Sequence, residues 1–101
     1  MTTLTGAQRR YLRSLAHHLD PICYVGKNGV SDAVVESVNI ALDANELIKV
    51  KFNDCKKEKK ELSAQIAERT ESHLVGLIGN IATFYRQQSD EEKRKIALPA
   101  G

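Results

Sequence analysis

Two glycines three residues apart enclose a lysine and an asparagine in the segment Gly26-Lys27-Asn28-Gly29. Glycine lets a backbone turn tightly and approach a ligand with no Cβ in the way. A helix start follows at once, capped by Ser31 or Asp32, and the free amides and positive dipole end of a helix N-terminus favour an anion. Lys27 adds a full charge able to reach a phosphate. The chemistry of such a segment is phosphate binding. As a bare pattern it also describes many ordinary turns, and a second instance, from Gly76 to Gly79, encloses Leu77 and Ile78 and is read as part of a hairpin.

Basic residues give the first segment a context. At ~100° per residue, Arg10, Arg13 and His17 fall on one stripe of a helix, and Arg9 lies at the edge of its apolar face. No carboxylate on that helix is in reach to neutralise them. The competing reading is a solvated arginine face. Lys49 and Lys51 share one face of a strand and either extend a basic surface or form the wet side of a sheet. The run from Lys56 to Glu61 alternates charge and reads as an exposed helix start. Residues 1–31 hold four bases against the single acid Asp20, so that third carries +3 and the remainder −1 of the net +2. A local excess of one sign creates a surface potential that the total charge conceals. Tyr24, Phe84 and Tyr85 are too few and too scattered to suggest an aromatic stacking platform, and are read as core or rim.

Catalytic arrangements are not found. The phosphate loop of nucleotide hydrolases needs a lysine and a hydroxyl after its last glycine, whereas Lys27 precedes Gly29. His17 and His18 point about 100° apart on a helix and cannot share a metal in the usual manner. Cys23 and Cys55 lack paired spacing and a neighbouring histidine, which suits two reduced thiols. No enzyme, cofactor or small-molecule substrate is expected. A chain of 101 residues with 42% hydrophobic content has room for one domain, here 1–101 with a short charged tail from about residue 87. There is no run of ~20 apolar residues for a membrane span and no signal-peptide pattern, so a soluble, cytoplasmic protein is expected; it is separately taken to be a monomer.

The elements that must position these residues follow from periodicity. Thr5 and Gln8 match a capping box, and Leu12, Leu15, Ala16 and Leu19 form the apolar stripe of a first helix that Pro21 ends just after Asp20. Residues 22–25 form a short strand leading to the glycine loop. Val34, Val38, Ala41 and Leu42 line a second helix, whose period outweighs its valine-rich propensity. Residues 47–52 alternate as a half-buried strand, and 56–70 form a helix with Leu62 and Ile66 inward. Residues 74–78 and 81–85 are strands around the Gly79-Asn80 turn. The tail from Gln87 is expected to be loosely held. The fold class is α/β, in an α+β-like two-layer form: a four-stranded mixed sheet with three helices in the order α-β-α-β-α-β-β, helices lying on one or both faces.

With these elements placed, the chain resembles the CRM domain (chloroplast RNA splicing and ribosome maturation) in its stand-alone bacterial, YhbY-type form. The resemblance is carried by Leu4-Thr5-Gly6, by Leu12-Arg13-Ser14-Leu15-Ala16-His17-His18-Leu19, and by Pro21 followed by Val25-Gly26-Lys27-Asn28-Gly29-Val30. It continues through Ala41-Leu42, Glu46-Leu47-Ile48-Lys49-Val50-Lys51, Ile78-Gly79-Asn80, Phe84-Tyr85-Arg86 and Leu98-Pro99. Cys23, Asn53-Asp54-Cys55 and Ala82-Thr83 depart from the pattern, and none is placed at the loop. The resemblance implies a fold of four mixed strands and three helices, similar to the C-terminal domain of a bacterial translation initiation factor. It implies RNA binding through Gly26 to Gly29 and nearby bases, and association with ribosomal RNA in precursors of the large ribosomal subunit, assisting assembly. The alternative is a protein-interaction module whose basic first helix meets an acidic partner.

Overall fold

The computed structural model describes residues 3–100; Met1, Thr2 and Gly101, which the expected domain 1–101 includes, lie outside the described residues. Helix α1 spans Gly6–Ala16. Its capping box is reciprocal: the Gln8 amide donates to the Thr5 hydroxyl at 3.1 Å, and the Thr5 amide to the Gln8 side chain at 3.0 Å. Strand β1 (Pro21–Val25) leads through the glycine loop to α2 (Asp32–Asn45), where Ser31, not Asp32, is the cap. Strand β2 (Leu47–Phe52) precedes a single 3-10 turn at Lys56–Glu58 and helix α3 (Lys59–Thr70). Strands β3 (His73–Ile78) and β4 (Ile81–Tyr85) form the hairpin. Gly79 alone of its two turn residues has positive φ, +57°, which fits a II′ turn with glycine first.

The sheet runs β1-β2-β4-β3, with β1 parallel to β2 and the other pairs antiparallel. This is the expected mixed sheet of four strands with three α-helices. Alternation along β2 divides the core. Ile48, Val50 and Phe52 join Val25, Ala82 and Phe84 beneath α2 and α3. Leu47 turns the other way and packs with Val75 and Tyr85 under Leu12 and Ala16 of α1. Helices therefore lie on both faces, but α1 covers only part of its own. No helix among the described residues is long and apolar enough to cross a membrane.

Two expectations need correction. The first helix stops at Ala16, four residues before Asp20, and rests on the sheet through Leu12 and Ala16, whose small side chain permits close approach. Leu15 and Leu19, expected inward, are 37% and 39% exposed: Leu15 is turned to the flank, and Leu19 lies past the helix end. The tail is also tied down rather than loose. Glu46, 1% exposed, accepts hydrogen bonds from the backbone amides of Gln88, Lys95 and Ile96. Ile96 and Leu98 pack on the α1 core, and Gln8 donates to the Pro99 carbonyl. A buried carboxylate needs such donors, and among the described residues only the tail supplies them.

Candidate nucleic-acid interface

The glycine loop is a tight turn closed by the Gly29 amide donating to the Gly26 carbonyl at 3.1 Å. Lys27 and Asn28 stand at its tip, exposed. Gly29 has φ +64°, a left-handed conformation that an L side chain resists. At neither Gly26 nor Gly29 would a Cβ meet any atom within 4 Å, so the space over both is open to a ligand. Beyond the turn, the Ser31 hydroxyl accepts from the Val34 amide at 3.2 Å, leaving the amides of Asp32 and Ala33 at the head of α2 free of helical partners. Asp32 brings a negative charge there, paired with Arg69 of α3 at 2.6 Å; Arg69 also donates to the Val30 carbonyl.

The loop is braced from a segment that sequence reading set apart from it. The amides of Asn53 and Asp54 donate to the Val25 carbonyl at 3.0 and 3.2 Å. The Cys55 thiol lies 3.6 Å from the Gly26 carbonyl oxygen and 3.8 Å from that of Lys27. Lys56 and Lys57 consequently begin beside the loop. Sequence carried no signal for this, because a separation of 28 or 29 residues falls outside any local periodicity.

The arginines of α1 have partners, though not carboxylates. Strand β3 bulges between Leu74 and Gly76, which takes carbonyls out of the regular ladder. Arg9 donates to the Leu74 carbonyl at 2.6 Å and Arg13 to that of Val75 at 3.0 Å. A Cβ on Gly76 would lie 3.1 Å from Arg13 Cδ, so this glycine makes room for the arginine stem to cross. Each guanidinium keeps further N–H donors for other contacts. Arg10 and His17 are exposed.

Lys49 and Lys51 sit on the α1 side of β2, between the two edges; Lys51 is exposed and Lys49 half-buried. The loop follows edge strand β1 while Arg9 and Arg13 rest on edge strand β3. Three strand spacings, roughly 14 Å, separate those edges. Lys27 and the arginines therefore do not share a compact patch; the lysines of β2 stand between them.

The sequence model for the CRS1 / YhbY (CRM) domain matches residues 4–86. The chain belongs to the CRM domain family. A Bacillus subtilis protein named Probable RNA-binding protein YqeI is 42% identical over 97 residues, covering 95% of this chain and 99% of its own. A Haemophilus influenzae protein named RNA-binding protein is 40% identical over 100 residues, 98% of each chain. A solution structure of a hypothetical Staphylococcus aureus protein superposes with a TM-score of 0.79 at 40% identity, over 96% of this chain and all of that one. The CRM match ends at Arg86, whose guanidinium joins Asn39 and Asp43 of α2 to the Thr70 carbonyl of α3. Arg86 thus ties the two helices together beneath the sheet.

Proposed function

We propose that this chain binds RNA through the loop Gly26-Lys27-Asn28-Gly29, with the lysines of β2 and the remaining donors of Arg9, Arg10, Arg13 and His17 contacting the backbone around it. The observation that carries this reading is the loop itself: open space over both glycines, free amides at the head of α2, and Lys27 at the tip. A phosphate fits that combination in charge and in approach. Relatives of full length named as RNA-binding proteins support the same class of partner. The RNA is ribosomal, in precursors of the large subunit, and the chain acts there as a cytoplasmic monomer assisting assembly.

Sedimentation of the endogenous protein on a density gradient tests the finer part. It is expected with particles lighter than the mature large subunit, and released from them by added salt as phosphate contacts are screened. Protein confined to the top of the gradient at low salt contradicts the assembly role.

A further inference from the structure

On the side of the sheet where α1 stops short, β1 presents Ile22 and Tyr24 outward, 51% and 53% exposed, while Cys23 and Val25 point into the core. Register continues the row across the sheet: Tyr24 is level with Lys51, Lys51 with Ile81, and Ile81 with Ile78, which is 79% exposed. The next row holds Lys49 beside Thr83 and Gly76. None of these residues is acidic, and the nearest acids in sequence, Asp20, Glu46 and Asp54, lie beyond the strand ends, Glu46 being buried. The Tyr24 hydroxyl donates to the Pro21 carbonyl at 3.2 Å, which fixes the ring back along its own strand. One residue after Tyr24's neighbour Val25, the glycine loop begins.

We infer that this open sheet face is a stacking platform for unpaired nucleotides, with a base laid on the Tyr24 ring and its flanking phosphates met by Lys51 and Lys49. The proposal rests on the RNA-binding reading of the glycine loop and extends it from phosphate contact to a preference for single strands. Charge and chemistry both point to that occupant. An exposed aromatic ring tied to its own strand and flanked by lysines, with no acid on its face, suits a flat base on an anionic backbone. In a duplex the base faces are already stacked on their neighbours, and the ring has nothing to bind. The face also crosses the sheet from the loop edge toward Arg13 and His17, so one strand laid across it reaches both basic regions.

The test compares a labelled oligoadenylate, alone and annealed to oligouridylate, against the whole protein and the variants Tyr24→Leu, Tyr24→Phe and Lys27→Ala. Tyr24→Leu is expected to weaken the single strand about tenfold, the loss typical of one stacked base, and to leave the duplex unchanged. Tyr24→Phe keeps the ring and loses only its tie to Pro21, so it should lose far less single-strand affinity than Tyr24→Leu. A melting curve equal to the parent's shows that the leucine variant is folded. Parental single-strand affinity in Tyr24→Leu, beside a Lys27→Ala defect, overturns the platform and leaves the loop standing. Parental affinity in both variants overturns both. Equal losses of single strand and duplex, or polyglutamate displacing oligoadenylate from the parent but not from Tyr24→Leu, would assign the face to another occupant and reject the proposal.

Discussion

At Gly29 an added methyl group meets no neighbour but must adopt a left-handed backbone; at Gly26 it meets neither obstacle. The two glycines therefore separate folding from binding. Gly29→Ala is expected to lower stability by about 1 kcal/mol through its positive φ, together with a loss of RNA affinity. Gly26→Ala should melt like the parent and still bind RNA more weakly, because the methyl fills the space a phosphate would enter. Thermal melts alongside filter binding check the pair. Full RNA affinity in Gly26→Ala would mean that no ligand backbone comes close at that position. The loop, its lysine and the helix behind it were legible in sequence because each is a local signal. Cys55 was not: its contact with the loop depends on where β2 ends, which no spacing within the chain reveals.

Element by element, what sequence could not show concerns how α1 and the tail are fastened. Free arginines on a helix invite a ligand, yet Arg13 answers a carbonyl exposed by the β3 bulge, a partner that leaves no trace in charge pattern. Arg13→Gln should thus cost on the order of 1 kcal/mol, as for one net hydrogen bond, whereas Arg10→Gln should leave the melt unchanged. Equal melts for the two would remove the tethering role of Arg13. Glu46 holds the tail by its carboxylate in the same way. Glu46→Ala is expected to destabilise the fold by about 2 kcal/mol and to open residues after Gln88 to protease; a tail that stays resistant would show that Ile96 and Leu98 suffice to hold it. Apolar periodicity placed the three α-helices and four strands, but it missed that α1 stops at Ala16 and could not tell that Leu15 faces outward, since that is fixed by how α1 sits on the sheet. At the start of β3, burial first, and the Arg9 charge second, push the His73 imidazole below its ordinary range. The folded state then favours the neutral ring. Its contribution is complete above the unfolded histidine pKa of about 6.5 and declines as pH falls through that value toward the lower folded one. Stability measured across this window should fall less in His73→Gln than in the parent; identical pH profiles would exclude His73 as the cause.

Over the whole molecule, the basic groups lie along a path and not in a cluster: the glycine loop at the β1 edge, Lys51 and Lys49 on β2, and the arginine flank at β3. Groups so far apart and sharing no partner should contribute independently, so the affinity losses of Lys27→Ala and Arg10→Gln are expected to add. A double variant no weaker than Lys27→Ala alone would place the helix outside the interface. Overall charge of +2 concealed this path, since the 13 acids of the chain nearly balance its 15 lysines and arginines. The central claim is that the loop lysine meets a phosphate, and the salt dependence of affinity for a large-subunit ribosomal RNA fragment tests it most directly. For Lys27→Ala, binding should weaken and the slope of log affinity against log salt should become shallower by about 0.7–0.9, the signature of one lost phosphate contact. A variant with the parent's affinity and the parent's slope would contradict the account.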